Sequence, residues 1–165
     1  MAARAGHKVV VSDFDILGIF ADKTADETVT SSTTFQADDQ LFLPVAANAR
    51  YLMDAFIIYT GASDPAGGLR LGWTGPSGAT MKWTNFGTTQ NVSPVLVNYN
   101  VVVENITGGR GVGTNGATEM SCQPRGRLAT AGTAGTLALQ FAQGLSNATG
   151  TTIKAGSCVR LVRIG

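Results

Sequence analysis

The sequence predicts an all-β fold, an antiparallel, jelly-roll-like β-sandwich preceded by an extended N-terminal arm. Three observations carry that expectation. Apolar and polar residues alternate with period two along most of the chain, and turn-forming clusters interrupt them at short intervals. No segment offers a helix of three turns. Short strands at this spacing suit a sandwich or a barrel, and the sandwich is the form expected. The arm is assigned to residues 1–26 and the sandwich to residues 27–165, with roughly eight strands around one core.

The first residues behave unlike the rest. A basic start is followed by VVVSDFDILG and then by Ile19 and Phe20. An apolar run that delivers Asp13 and Asp15 as Asp-x-Asp is how haloacid-dehalogenase-type phosphatases present a nucleophile and its acid partner. That chemistry needs further carboxylates to hold Mg²⁺ and a parallel sheet to carry them. No Asp or Glu follows Glu119, and strands do not alternate with helices. The stretch therefore reads as a sticky arm. Val9, Val10, Val11, Ile16, Leu17, Ile19 and Phe20 are its expected partner-binding residues. Full burial of each contributes roughly 1.5–3 kcal/mol before ordering costs.

The strands follow in order. Thr28, Val29 and Thr30 suit a first strand or a spacer. In ARYLMDAFIIYTG, Tyr51, Met53, Ala55, Ile57 and Tyr59 share one face, and Leu52, Asp54, Phe56 and Ile58 the other. That segment is apolar on both sides, which places it centrally or at a subunit contact. Leu69, Leu71 and Trp73 point inward in the next strand, and Ala79, Met81 and Trp83 in the one after. Late in the chain, Leu137, Leu139 and Phe141 align, as do Val159 and Leu161. Half-buried antiparallel strands have this pattern. The clusters between them are rich in Gly, Asn, Asp and Ser, which supply positive φ and local hydrogen bonds.

Composition narrows the function. Charged residues make up only 14% of the 165, against a usual ~25%. A surface of small hydroxyl and amide groups suits packing against other proteins, because few charges must be desolvated. The formal net charge of +1 provides no basic stripe for nucleic acid. Acidic residues crowd the N-terminal part while the region after Glu119 carries only cations, which reads as chance with ordinary surface cations or as an acidic arm of one subunit meeting a basic face of another. Cys122 and Cys158 are expected as buried free thiols, with a bridge between neighbouring strands as the other option. No signal peptide or membrane span is legible.

Several motifs look chemical. GVGTNG, from Gly111 to Gly116, satisfies G-x-G-x-x-G, but Pro124 comes too early for the helix a dinucleotide site needs, and no downstream carboxylate could take the ribose. A mobile or partner-contacting glycine loop is the expectation. A catalytic triad fails because His7, in the arm, is the only histidine. Asp38–Asp39 reads as a solvated turn or a cation contact. Trp73 and Trp83 read as core anchors, or as stacking platforms if either reaches the surface.

The run STTFQADDQLFLPVAANARYLMDAFIIYTG, LRLGWTGPSGATMKWTNFG after it, and the end RGRLATAGTAGTLALQFAQGLSNATGTTIKAGSCVRLVRIG resemble a virion β-sandwich module of tailed actinobacteriophages. It occurs in minor tail and tail-fibre-type proteins. The family pattern runs from a Thr-rich opening and an Asp-Asp pair, through an A-A-N turn and a Tyr-rich strand, to a closing motif matched by residues 135–149. The resemblance covers roughly residues 27–165. It implies a bacteriophage structural protein in the virion, made in the host cytoplasm, and not an enzyme.

By analogy with phage fibres and cement proteins, a homotrimer is expected. The partners expected are other copies, other tail or capsid proteins, and no nucleic acid or membrane. No cofactor or metal is expected. Two other roles fit the same residues: capsid decoration or a head fibre, and a host-attachment tip that binds cell-wall glycan through loops near Asn85, Asn91 and Asn115.

Overall fold

The computed structural model describes residues 18–63, 65–88 and 101–165. Among these the chain is all strand and turn. The strands are β1 (Ile19–Asp22), β2 (Glu27–Val29), β3 (Gln36–Val45), β4 (Arg50–Gly61), β5 (Leu69–Thr74) and β6 (Thr80–Phe86). After them come β7 (Glu104–Asn105), β8 (Arg110–Val112), β9 (Gly116–Ala129), β10 (Gly135–Gln143), β11 (Thr151–Ile153) and β12 (Cys158–Arg163).

They form two antiparallel sheets, a β-sandwich. The smaller sheet has the order β3-β10-β5-β8. The larger runs β1-β12-β4-β9-β6-β7, with β11 pairing both β4 and β2. From β3 to β10 the chain changes sheet at every connection except β6–β7. Consecutive strands therefore face each other across the core more often than they pair.

Period-two alternation decides which side of each strand is buried. Tyr51, Met53, Ala55, Ile57 and Tyr59 of β4 enter the core together with Leu69, Leu71, Trp73, Met81, Trp83, Leu137, Leu139 and Phe141. Trp73 of β5 and Trp83 of β6 meet across the sandwich edge to face, centroids 6.4 Å apart. The Trp83 Nε1–H donates to the Asn105 carbonyl at 3.0 Å, which leaves it satisfied while buried. β4 is central in its sheet, and its second face is open: Leu52 and Phe56 remain exposed.

The short sequence marks act where the chain must bend. At the A-A-N turn Asn48 takes φ +51, a left-handed conformation that asparagine tolerates. The Tyr51 hydroxyl accepts the Ala46 N–H at 2.9 Å, and the Thr130 hydroxyl donates to the Ala46 carbonyl at 2.6 Å. Pro44 costs no ladder bond because β3 is an edge strand of the smaller sheet.

The Asp-Asp pair builds a bulge. Pairing of β3 with β10 shifts between Ala37↔Gln140 and Phe42↔Ala138, and the Asp38 carboxylate takes up the freed N–H groups of Gln40 (2.9 Å) and Leu41 (2.8 Å). Its other oxygen meets the Lys23 ammonium at 2.8 Å, which also reaches Glu27 at 2.9 Å. The pair contains a cation contact, and it is a buried one.

Residues 18–26 are part of the sandwich. β1 pairs with β12 from Ile19↔Leu161 to Asp22↔Cys158, and the Lys23 N–H donates to Ser157 O at 2.8 Å. The acidic start and basic end of the chain thus meet within one molecule, where Asp26 also takes the Lys154 ammonium.

Candidate functional site

The outer face of the larger sheet carries several exposed apolar side chains among the described residues. Strand register defines its rows. Phe20 lies beside Arg160, Arg160 beside Asp54, Asp54 beside Arg125, and Arg125 beside Thr84. One row along, Val162, Leu52, Arg127 and Lys82 follow in the same way. In the opposite direction Cys158 neighbours Phe56, and Gln123 neighbours Phe86. Side chains directly opposite in an antiparallel pair share a face and touch.

This face is mixed in character. Phe20 is 56% exposed, Leu52 46%, Phe86 43% and Phe56 38%. A single exposed apolar side chain is ordinary, but several on one sheet face mark an interaction surface. Lys82, Arg125, Arg127 and Arg160 stand among them, and Asp54 is the one carboxylate in those two rows. The Asp54–Arg125 contact, 3.1 Å, is solvent-exposed and holds little energy. The Arg160 guanidinium lies 5.6 Å from the centre of the Phe20 ring.

The smaller sheet presents a second, more polar outer face. Phe35 lies against Gly72, where a Cβ would come within 3.2 Å of its ring, and the Arg70 guanidinium covers it at 4.8 Å. Beside it opens a cleft of about 390 Å³ lined by Phe35, Thr74, Pro76, Thr107 and Gln140 among others.

The sequence-derived residues distribute unevenly over this structure. Val9, Val10, Val11, Ile16 and Leu17, with Asp13 and Asp15, lie outside the described residues. Ile19 and Phe20 are in β1, and both stay exposed. The glycine motif is not a free loop as expected. Buried Thr114 accepts the Gly68 N–H at 2.8 Å and donates to the Ala62 carbonyl, while the Tyr59 hydroxyl donates to Gly113 O at 3.1 Å. The hydroxyl inside the motif ties it to the β4–β5 connection.

Cys122 and Cys158 are both free, the first buried and the second half-buried. They stand on opposite faces of the larger sheet, so no bridge can form. Burial pushes the Cys122 thiol up to about 12. Trp83 and Asn85 are buried, which removes them from any glycan platform, and Trp73, buried too, lines only the wall of the cleft beside Phe35. Asn115 remains at an exposed turn, and Asn91 lies outside the described residues. Among the described residues no cluster of His, Cys, Asp and Glu could hold a metal ion. Sequence reasoning missed Phe86 and the cation rows. The apolar outer side of β4 was the available signal.

No family model and no curated protein matches the chain. Among solved structures it is similar to the Gx strain of infectious bursal disease virus, with 8% identity and a TM-score of 0.22, over 87% of this chain and 39% of that one. The Gt strain of the same virus gives 9% identity and a TM-score of 0.20, over 88% and 40%. The chain thus spans about two fifths of the structures it matches. At these TM-scores the likeness carries no argument about relationship or function.

Proposed function

We propose that this chain is a structural protein of a bacteriophage virion, associated with the tail as a minor tail or fibre-type module. It assembles as a homo-oligomer, a trimer by analogy, and its N-terminal segment fastens it to neighbouring virion proteins. Its work is surface contact and not turnover. The observation that carries this reading is the outer face of the larger sheet, where Phe20, Leu52, Phe56 and Phe86 stay exposed among arginines on a rigid sandwich. The strand orders β3-β10-β5-β8 and β4-β9-β6-β7 support the jelly-roll form of that sandwich. The buried polar groups support it too, because Lys23, Asp38 and Thr114 are engaged in holding the fold.

Gold-labelled antibody against the protein, applied to intact particles of its phage, tests the location. Label on the tail is expected. Label confined to the head surface would make the protein a decoration protein, and no label on any particle would reject a virion role. Truncation must stop before Gly18, since β1 and Lys23 belong to the fold. A chain lacking residues 1–17 is expected to fold and to be absent from particles.

The cleft beside Phe35 favours a second reading, attachment to host cell-wall glycan. An aromatic ring with hydroxyl and amide neighbours suits a sugar. Soluble protein that is retained on purified cell walls, and that Phe35→Ala releases, would support it.

A further inference from the structure

Building on the reading of this chain as a self-assembling structural protein, we propose that the outer face of the larger sheet seats residues 9–17 of a second copy. Three observations converge. The first is chemical fit. The segment reads VVVSDFDIL, apolar except for Ser12 and the two carboxylates of Asp13 and Asp15. The face offers Leu52, Phe56 and Phe86 for the apolar side chains, and Lys82, Arg125 and Arg127 for the acids. A second copy of the same face fits poorly, because those cations would oppose their own kind.

The second is position. The segment joins the sandwich at Gly18, on the corner where β1 meets β12 at the margin of this same sheet. Gly18 adopts φ +80, and a Cβ there would lie 2.3 Å from the Leu161 carbonyl oxygen. Only glycine lets the chain enter so close to β12.

The third is reach. Nine residues extended span about 30 Å, enough to follow β4 along most of its length. Gly18 sits at the Val162 end of the face, whereas Phe56 and Phe86 stand at the Cys158 end, so a straight continuation of β1 leads off its own sheet and toward a neighbour. Exchange of this kind around a closed ring gives every copy one donated and one received segment.

Cys158 provides a reporter, since it is half-buried on this face opposite Phe56, while Cys122 is buried on the other side. The test uses the full chain carrying Phe14→Cys, with Ile16→Cys as a second position in case the first perturbs folding. After mild oxidation of purified protein, a disulfide between the introduced thiol and Cys158 of another chain is expected, read as covalent dimers and assigned by peptide mass. Adding Arg125→Glu and Arg127→Glu should lower its yield at least ten-fold, and so should high salt. A bond confined within one chain, or none from either position, overturns the proposal. This outcome is independent of particle location, so the virion reading can fail while the inference stands, or the reverse.

Discussion

Lys23 holds its charge almost entirely out of water, with Asp38 equally buried and Glu27 partly so. Desolvation pulls its pKa down, but hydrogen bonds donated to Asp38 and Glu27, with their charges, outweigh that and leave it raised. Removing one partner of a buried pair strands the other, at a cost of about 3–5 kcal/mol. Lys23→Met is expected to lose that much in urea unfolding. Adding Asp38→Asn should recover part of it, because the amide oxygen still accepts the Gln40 and Leu41 N–H groups. The sign with pH follows from the raised value. The contribution of Lys23 is complete below its ordinary 10.5 and is lost as pH climbs through the folded value. Stability against pH should therefore fall on the alkaline side in the native chain and less so in Lys23→Met. The two thiols separate at the same scale. In a chain lacking residues 1–17 Cys158 should react with a thiol reagent, and Cys122 only after unfolding.

Among the strands, β9 shows how tightly the larger sheet is built. Gly126 lies opposite both Met53 and Trp83. A Cβ at this position would come within 2.7 Å of Met81 Cε and 2.8 Å of Trp83 Cβ. Gly126→Ala should cost about 1–3 kcal/mol through overpacking, visible as a lower thermal midpoint. The outer side of β4 behaves oppositely. Leu52→Gln and Phe56→Gln change the outer face and not the core, so stability should stay within about 0.5 kcal/mol of the native chain. Sedimentation should nonetheless show weakened self-association. The faces of β4, β5, β6, β10 and β12 were legible from alternation, because burial of one side requires a period of two. The bulge at Asp38 was not, since a carboxylate that caps backbone N–H groups has the same local sequence as a solvated turn.

For the whole molecule, the pairing of distant segments dominates. Ile19 pairs with Leu161, and Val29 with Thr151, so most of the chain must be gathered before these contacts form. Such topologies refold in about milliseconds to seconds. Stopped-flow fluorescence of Trp73 and Trp83, both buried, should show refolding in that range, and a microsecond phase carrying the full amplitude would contradict the topology. The two chain ends also meet through charge. One N-terminal acid and one C-terminal cation, Asp26 and Lys154, pair there.

By itself the sequence determined the class of fold, the inward face of the principal strands and the turns between them, because these depend on local periodicity and on residues with special backbone freedom. Tertiary structure alone decided that residues 18–26 join the sheet, that Lys23 finds two carboxylates, that the glycine motif is anchored by Thr114, and that Phe20, Leu52, Phe56 and Phe86 share a face with four cations. Each of these depends on which strands become neighbours. That choice is made by the summed burial of the whole chain, and no local window of residues records it.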